Sequence, residues 1–311
     1  MTRVLGREDN PVMRVLVIGA AGQLGVDLCA AFSNEALYRA DLDGSDITLD
    51  VCDQSAVQRI IHDLRPDIVV NTAAEHEVEQ CETKPARAFM VNATGALWVA
   101  QACAQTGARL LHISTDYVFG GAPPQPLRPY GEDDPPAPLN VYGASKCAGE
   151  HLIAAICPDY LIVRTAALYG LAPCRGKGGR NFVETMLSLA AAGREIKVVT
   201  DVFTSPTCTL ALARQLRLLA EKARPGVYHA ACTGVCSWYE FAKAIFEETN
   251  VQTTVTPAKM ADFQSKVRRP NFVALENKRA NEAGINIMSH WREALTEYAA
   301  ARRLSTRATA P

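Results

Sequence analysis

The sequence predicts an α/β protein with a doubly wound parallel sheet, and three observations support this. Short apolar runs bounded by loops alternate along the chain with helical patterns, as repeated βαβ units require. The first of these runs leads directly into a glycine-rich loop that opens a helix. The 311 residues, 48 % hydrophobic and 21 % charged, have the composition of an ordinary globular protein of one elaborated domain or two.

The first half of the chain supplies most of the sheet. Strands are predicted where short apolar runs end in loops, and helices where apolar residues recur at intervals of three and four. These criteria predict strands at Arg14–Ile18, Leu37–Ala40, Ile47–Val51, Ile68–Asn71, Arg109–Ser114 and Leu161–Arg164. They predict helices at Gln23–Phe32, Ser55–Leu64, Pro85–Gln105 and Val141–Ile156.

The glycine-rich loop has the spacing G-x-x-G-x-x-G, at Gly19, Gly22 and Gly25. The first glycine permits a tight turn, the second lets a pyrophosphate approach the backbone, and the third packs helix against strand. The N-terminus of the following helix then faces the phosphates. With a strand before it and a helix after it, this loop predicts a Rossmann-type dinucleotide-binding fold.

Two acidic positions bear on which dinucleotide is bound. Asp41 ends the second strand, where a carboxylate accepts hydrogen bonds from ribose hydroxyls and repels a 2′-phosphate, which favours NAD(H) over NADP(H). Arg39 would weaken that preference, and a solvated loop acid is the alternative for Asp41. Asp50 and Val51 come at the end of the third strand and are suited to an adenine edge, although an acid at the start of the helix Ser55–Leu64 explains the spacing equally well.

Tyr142 and Lys146 form a YxxxK pattern at the start of a predicted helix. Residues four apart lie on one helix face, so the hydroxyl and the ammonium are expected to share one space. The ammonium is expected to lower the tyrosine pKa from about 10, so that the phenol exchanges a proton with a carbonyl or alcohol. Thr115 follows the strand Arg109–Ser114 at the sheet edge where ligands bind, and would polarise the same carbonyl. The alternative for Thr115 is a hydroxyl that caps a turn.

Beyond Gly170 the pattern loosens, and a smaller C-terminal domain is expected there. Residues 121–139, rich in proline and glycine, are predicted to form a long ordered loop. The remaining predicted elements are helices at Asn181–Ala192, 209–222, Ser237–Thr249 with Ser237 as N-cap, and Met288–Ala301, and a strand at Ile196–Val199. The predicted divisions are an N-terminal extension (1–12), a Rossmann core (13–168), a mixed region that completes the sheet and forms the second domain (169–304) and a frayed tail (305–311).

Charge and cysteine usage exclude several classes of partner. With 32 Lys and Arg against 33 Asp and Glu, the formal net charge is -1, so neither nucleic acid nor an anionic membrane is expected as a partner. No apolar run approaches the ~18 residues of a membrane span, and residues 1–12 lack the apolar region of a signal peptide. The ten scattered cysteines, with no CxxC pair, are typical of reduced thiols, so a cytoplasmic protein without a metal site is expected.

Glycine loop, strand-end threonine and YxxxK in this order resemble the extended short-chain dehydrogenase/reductase superfamily. Over about residues 13–300 the chain resembles, more narrowly, the dTDP-4-dehydrorhamnose reductase family. The segments that carry this resemblance are GAAGQLG (19–25), DVCDQSAV (50–57), NTAA (71–74), CETKP (81–85), STDYVF (114–119), VYGASKCAGE (141–150), NFVETML (181–187), SPT (205–207) and SWYEFA (237–242).

The resemblance implies hydride transfer from NAD(P)H to the C4 ketone of a dTDP-6-deoxy-4-keto-hexose, with a smaller C-terminal substrate-binding domain and a homodimer as a possible assembly. It implies Thr115, Tyr142 and Lys146 as catalytic residues, with Tyr142 as proton donor. The cofactor contacts it implies, beside Tyr142 and Lys146, are Gly19, Gly22, Gln23, Leu24, Gly25, Asp50, Val51, Ala73 and Ala74. The substrate contacts it implies are Thr115, Asp116, Asn181, Phe182 and Arg269.

Three departures from the family pattern fall on segments expected to face the substrate. Glu75 and His76 follow the NTAA segment where the family has a tyrosine and a threonine. Ala167 stands at a position that is usually tryptophan, and Val202 and Thr204 stand at the usual glutamine and glycine. Because the missing indole removes a large apolar contact, the sugar that this chain accepts stays open.

Two other functions remain open. An epimerase or dehydratase of the same superfamily would need an additional acid or base near Thr115, and Asp116 would supply an acid, although Tyr117 follows where a glutamate is expected. A non-catalytic regulatory subunit, similar to the beta subunit of methionine adenosyltransferase, would bind a dinucleotide without transferring hydride.

Two basic segments are candidates for phosphate binding. Arg175, Lys177 and Arg180 lie in a glycine-rich loop that would either clasp a diphosphate or be solvated. Arg268 and Arg269 precede a proline, and the planar fork of arginine suits phosphate geometry.

Overall fold

The computed structural model describes residues 12–308. The predicted N-terminal extension, except for Val12, and the last three residues of the predicted tail lie outside the described residues. The described chain forms a large sheet covered by helices on both faces, and a smaller region built mainly from its C-terminal third.

Thirteen strands are described, seven of them in one sheet. In chain order they are β1 (Arg14–Ile18), β2 (Ala36–Asp41), β3 (Ile47–Thr48), β4 (Ile68–Asn71), β5 (Arg109–Thr115), β6 (Tyr160–Thr165), β7 (Leu168–Tyr169), β8 (Ile196–Val199), β9 (Phe203–Thr204), β10 (Thr207–Cys208), β11 (Gly226–His229), β12 (Cys236–Ser237) and β13 (Val255–Ala258).

The large sheet has the spatial order β11-β6-β5-β4-β1-β2-β3, and every pairing in it is parallel. The chain winds outward from β1 in one direction through β2 and β3, and in the other through β4, β5 and β6. The carboxyl ends of β1 and β4 therefore meet at the point where the winding reverses, which is where open α/β sheets bind ligands.

Eleven α-helices are described. They are α1 (Gln23–Ala31), α2 (Gln54–Leu64), α3 (Val78–Thr83), α4 (Pro85–Phe89), α5 (Ala96–Thr106), α6 (Val141–Ile156), α7 (Phe182–Ala191), α8 (Thr209–Lys222), α9 (Trp238–Thr249), α10 (Lys278–Glu282) and α11 (Trp291–Ala308). A π-helical segment, Met90–Gly95, joins α4 to α5, and short 3-10 helices occur at Asp116–Val118, Arg175–Lys177 and Met260–Asp262.

Helices cover both faces of the sheet, as the apolar strands require. On one face, α1 and α8 bury Leu28 and Leu216 against Val15 of β1. On the other face, α2, α5 and α6 bury Val99 and Ile153 with the alternate strand residues. Because β-strand side chains alternate between faces, an almost continuous apolar strand needs this double cover. The doubly wound prediction is confirmed.

The smaller region has a core of its own, in which Tyr169, Phe241, Leu295 and Trp291 are buried together. Three two-stranded sheets surround it, β7 with β10, β8 with β13 and β9 with β12. Helix α9 packs in this core and begins with a capping box, in which the Ser237 hydroxyl accepts from the Glu240 amide at 3.1 Å. This confirms Ser237 as the predicted N-cap.

The predicted loop at residues 121–139 is ordered by backbone hydrogen bonds. Gly121 donates to the Ala137 carbonyl at 2.8 Å, and Tyr130 donates to the Ala274 carbonyl at 2.8 Å. The Tyr130 ring stacks on Phe119, with the ring centres 4.2 Å apart. The loop thereby closes over the end of β5.

Two predicted elements of the first half differ from the structure. The predicted strand Ile47–Val51 ends at Thr48, because the chain turns where the Asp50 carboxylate accepts from the Cys52 amide at 2.8 Å. The predicted helix Pro85–Gln105 contains the π-helical segment Met90–Gly95, which no local sequence pattern indicated.

The end of the chain also differs from the prediction. The terminal helix runs from Trp291 to Ala308 rather than from Met288 to Ala301, so it includes the first residues of the predicted frayed tail. Arg302 pairs with Glu184 of α7 at 2.8 and 3.1 Å, which anchors the last turns to the body of the protein. Strand β11 has no counterpart among the individually predicted strands.

Candidate functional site

The predicted site residues meet at the carboxyl edge of the large sheet. The glycine loop follows β1, Asp41 ends β2, Ala73 and Ala74 follow β4, and Thr115 ends β5. These strands are neighbours in the sheet, so residues far apart in sequence face one cleft.

The glycine loop is packed so closely that side chains are excluded from it. Gly19 has a φ of 83°, and a Cβ added to it would lie 2.3 Å from the Thr72 hydroxyl. A Cβ on Gly25 would lie 2.0 Å from the Gly19 carbonyl oxygen. Gly22 is the N-cap of α1 and offers no side-chain cap, so the first amides of α1 keep their donors for another partner. Leu24 lies beneath the loop in the core. This bare, uncapped cradle fits a pyrophosphate.

The Asp41 carboxylate supports the glycine loop from β2. It accepts from the Ala21 amide at 2.9 Å and from the Leu42 amide at 2.7 Å. These bonds place the carboxylate at the end of the loop that would hold the adenosine ribose. Arg39 is directed to Asp46, with bonds of 2.8 and 3.0 Å.

Three of the other predicted cofactor residues have defined contacts in the structure. Val51 is buried against Gly95, where an added Cβ would lie 3.0 Å from the Val51 carbonyl oxygen. Ala73 donates its amide to the Asn71 side chain at 3.1 Å. Gln23 turns away from the loop and donates to the Ala172 carbonyl at 3.0 Å, which ties α1 to the segment after β7.

Thr115 and Tyr142 are brought together by the end of β5 and the first turn of α6. The Thr115 hydroxyl donates to Asp116 at 3.0 Å and accepts from the Tyr117 amide at 3.2 Å. Tyr142 packs edge-on against the Tyr117 ring, with ring centres 5.8 Å apart, and its hydroxyl lies near that of Thr115. Asn140 caps α6 by accepting from the Gly143 amide, which fixes the start of the helix that carries Tyr142.

Lys146 is 2 % exposed, and its ammonium is held by groups of β5. Nζ donates to the Ile113 carbonyl at 2.6 Å and lies 3.1 Å from Nε2 of His112. Burial lowers the pKa of Lys146 to about 8, and the nearby Glu150 carboxylate opposes that shift.

Burial raises the pKa of Tyr142 above its ordinary value, and the nearby Thr115 hydroxyl opposes the rise. Lys146 is turned toward Ile113 and does not lower it. The expectation that the ammonium lowers the tyrosine pKa is therefore wrong for this arrangement. A phenol with a raised pKa stays protonated at neutral pH, which is the form that a proton donor requires.

Asp116 is a buried acid next to Thr115 and Tyr142. Its side chain is almost fully enclosed, and burial raises its pKa to about 7. The hydrogen bond from Thr115 and those from backbone amides limit that rise. Its charge therefore changes near neutral pH.

The other predicted substrate contacts have structural partners. Asn181 caps α7 by accepting from the Glu184 amide at 3.0 Å, and donates to the Gly170 carbonyl at 2.9 Å. Phe182 packs on Trp238, with ring centres 4.5 Å apart. That Asn181 and Phe182 contact the substrate stays a prediction.

Arg269 lies on the Tyr117 side of the cleft, where it bonds to Glu79 and, at 2.9 Å, to the Ser265 hydroxyl. It lines a cavity of about 580 Å³ together with Arg268 and Phe263. This position is consistent with the predicted contact to substrate, which stays a prediction.

The departures from the family pattern have distinct environments. Glu75 exchanges two backbone hydrogen bonds with the side chain of Asn92, at 2.8 and 2.9 Å. Ala167 adopts a φ of 42°, a conformation that is unusual for a residue with a side chain. Val202 is buried.

Three residues near the site were not predicted. His112 contacts Lys146 and, through Nδ1, Asn71 at 3.2 Å. Asn92 of the π-helical segment also donates to the Ser145 hydroxyl at 2.9 Å, and so joins α6 to the end of β4. A polar residue inside an apolar run, such as His112 in RLLHIS, was the available signal.

The third is Glu150, which pairs with Arg164 in the core beneath the site. Three hydrogen bonds of 3.0, 3.2 and 2.7 Å join the two side chains, and each is about 4 % exposed. Ser114 donates to the same carboxylate, so the pair connects α6, β6 and the end of β5.

The described residues 12–308 lack two features, a metal-ligand cluster and a membrane-spanning helix. Within them, no group of three or more His, Cys, Asp or Glu side chains is placed to hold a metal ion. No helix in the same part of the chain is long and apolar enough to cross a membrane.

Comparison with known proteins agrees with this geometry. The family model described as the RmlD substrate binding domain matches residues 13–304. The dTDP-4-dehydrorhamnose reductase of Mycobacterium tuberculosis is 40% identical over 299 residues, which cover 94% of each chain. The chain belongs to the dTDP-4-dehydrorhamnose reductase family.

Two further relatives support this membership. The spore coat polysaccharide biosynthesis protein SpsK of Bacillus subtilis is 42% identical over 288 residues, covering 92% of this chain and 96% of the relative. The crystal structure of the Bacillus anthracis dTDP-4-dehydrorhamnose reductase in complex with NADP has a TM-score of 0.85 and 37% identity, covering 93% of this chain and 99% of the other. The predictions of a Rossmann-type fold and of an NAD(P)-dependent oxidoreductase of the short-chain type are confirmed.

Proposed function

We propose that this family member reduces the C4 ketone of a dTDP-linked 6-deoxy-4-keto-hexose with NAD(P)H, and that Tyr142 donates the proton. The observation that carries the proposal is that Thr115 and Tyr142 lie at the same sheet edge as the glycine loop. Relatives at about 40% identity that are named dTDP-4-dehydrorhamnose reductase support the substrate class.

The proposed reaction adds a hydride to C4 and a proton to the ketone oxygen, which gives an alcohol. The bound dinucleotide supplies the hydride. On substrate binding, the Thr115 hydroxyl would turn its proton from Asp116 to the ketone oxygen. Tyr142 would transfer its phenolic proton to that oxygen as negative charge develops there. Lys146 lies one helical turn away, and its ammonium would hydrogen-bond the ribose hydroxyls of the nicotinamide nucleotide and so position the dinucleotide.

The cofactor, substrate and setting are also part of the proposal. Asp41 favours NAD(H), while the Bacillus anthracis relative was solved with NADP, so both dinucleotides belong in the assay. Asp116, Asn181, Phe182 and Arg269 are proposed to meet the nucleotide-sugar. We place the enzyme in the cytoplasm, and we expect a homodimer, which light scattering would test.

The test compares Tyr142→Phe with Tyr160→Phe, which removes the same hydroxyl at the opposite edge of the sheet, where β6 begins. We expect Tyr142→Phe to lower kcat about 100-fold or more, as loss of a general acid does, with dinucleotide affinity unchanged. Tyr160→Phe should behave as the parent enzyme. Turnover is followed by dinucleotide oxidation with dTDP-4-keto-6-deoxy sugars of both C3/C5 configurations.

Other results would refute the proposal. Normal turnover by Tyr142→Phe would exclude this tyrosine as the proton donor. Dinucleotide binding without turnover of any keto-sugar by the parent enzyme would favour the regulatory subunit. A dinucleotide that stays bound through purification and is regenerated in each cycle would favour an epimerase or dehydratase.

A further inference from the structure

The segment after β7 brings a guanidinium to the adenosine end of the dinucleotide cleft. Arg175 pairs with the Asp43 carboxylate and donates through Nη1 to the Asp43 carbonyl at 3.2 Å. The same Nη1 lies 4.0 Å from the Asp41 carboxylate. A Cβ built on Gly44 would lie 3.8 Å from Arg175 Nη1 and 3.9 Å from Ala21 Cβ. The guanidinium therefore lies beside both the end of β2 and the glycine loop.

Other contacts hold this segment in place independently of the ion pair. Gln23 of α1 donates to the Ala172 carbonyl at 3.0 Å. The Cys174 thiol lies 3.5 Å from Nε2 of His76, which follows β4. The backbone of Gly176 lies so close to His76 that an added Cβ would be 2.3 Å from its ring. The segment is thus attached near the ends of β1 and β4, and Arg175 is delivered to the end of β2.

The ion pair that occupies Arg175 is weak enough to be exchanged. The side chain of Arg175 is 42% exposed and that of Asp43 is 72% exposed, and an exposed pair contributes little to stability. A phosphate monoester carries a charge of about −1.5 to −2 and three acceptor oxygens, so it competes well with one carboxylate for an arginine fork.

Because Asp41 lies where the adenosine ribose would bind, a cation is needed nearby if the cleft is to bind NADP(H). A carboxylate at the end of the second strand accepts from the 2′-hydroxyl of NAD(H) but repels the 2′-phosphate of NADP(H). Arg39 is directed toward Asp46, whereas Arg175 approaches both Asp41 and the turn that follows it. Arg175 therefore has the placement that a 2′-phosphate would need.

We propose that Arg175 is the residue that allows this enzyme to accept NADP(H) as well as NAD(H), by binding the 2′-phosphate of the adenosine ribose. Asp43 holds the guanidinium when no phosphate is present and competes with the phosphate for it. This inference rests on the proposed function, because it assumes that the cleft binds a nicotinamide dinucleotide.

The test measures nucleotide binding without turnover. Calorimetry would compare adenosine 2′,5′-bisphosphate with AMP, two probes that differ only in the 2′-phosphate. We expect Arg175→Ala to weaken binding of the bisphosphate about 10-fold or more while AMP affinity changes less than about 2-fold, as loss of charge-assisted hydrogen bonds predicts. Asp43→Asn should strengthen binding of the bisphosphate.

Two control variants separate the inference from its rivals. Arg39→Ala removes the same charge two residues before Asp41. Arg194→Ala removes it at an exposed position before β8. Both variants should keep the parent's ratio of affinities for the two nucleotide probes. Loss of selectivity in Arg39→Ala with none in Arg175→Ala would overturn the inference. An equal loss for both probes in Arg175→Ala would also overturn it, since that result indicates a contact with the 5′-phosphate. If the parent enzyme bound neither probe nor NADH, the proposed function itself would fail.

Discussion

Replacing Lys146 by methionine should change how the stability of the fold depends on pH. The free energy of unfolding of the parent, relative to that of the variant, should be lower at neutral pH than at high pH. The ammonium is almost fully enclosed between α6 and β5, and its pKa is lowered from an ordinary value of 10.5 to about 8. Below about pH 8 the amine is charged in both the folded and the unfolded chain, so the folded state bears the full cost of burying the charge. As the pH rises from about 8 to about 10.5, the unfolded chain holds the proton that the folded chain has lost, and stability increases.

The magnitude follows from the shift in pKa. A difference of about 2.5 units corresponds to about 3 kcal/mol at 1.36 kcal/mol per unit, and about 2 kcal/mol of it is released between about pH 7 and about pH 9.5. Methionine also leaves the Ile113 carbonyl without the ammonium donor, which costs about 1–3 kcal/mol. That cost is the same at both pH values, so the pH difference isolates the ionisation of Lys146.

The assay is urea unfolding of the parent enzyme and of Lys146→Met at about pH 7 and about pH 9.5. The free energy of unfolding of the parent, relative to the variant, should rise by about 2 kcal/mol between the two. Titration of other groups is shared by both proteins and cancels in the comparison. If parent and variant changed in parallel with pH, Lys146 would not be a depressed, buried amine.

Two further predictions concern acids near the site. Glu150→Ala should destabilise the protein by about 3–5 kcal/mol in urea unfolding, because it leaves the Arg164 guanidinium buried without its partner; a loss below about 1 kcal/mol would contradict this. The second acid is Asp116, whose pKa is raised to about 7. Its carboxylate, which forms at higher pH, would oppose the negative charge that develops on the ketone oxygen of the proposed substrate. The kcat/KM of the parent should therefore fall as the pH rises through about 7, and a pH profile of Asp116→Asn that kept this fall would assign it to another group.

Local patterns were sufficient to predict much of the fold and the centre of the site. The run Arg14–Ile18, the glycines after it and the YxxxK at Tyr142 each report a constraint that acts within a few residues. The alternation of strands and helices then places the strand ends at one edge of the sheet, because parallel connections return to the same side. Thr115 and Tyr142 therefore meet without any information about distant contacts.

Properties that depend on tertiary contacts could not be predicted from local sequence patterns. The direction of the Lys146 ammonium depends on the Ile113 carbonyl, which belongs to another element. The YxxxK spacing alone therefore indicated the wrong sign for the tyrosine pKa. Asn181 is used as a helix cap, and the place of Arg175 beside Asp43 joins residues 132 positions apart. No local pattern encodes such a contact.

The wide turn at Met90–Gly95 makes this family member sensitive to the number of residues in a helix as well as to their identity. A π-helical turn accommodates a residue more than an α-helical turn. Deleting one residue there would restore α-helical spacing and rotate the chain on one side of the deletion by about 100° relative to the other. Asn92 would then no longer reach both Glu75 and Ser145. We therefore expect evolution to vary side chains along this helix while conserving its length, and to confine insertions and deletions to the loops.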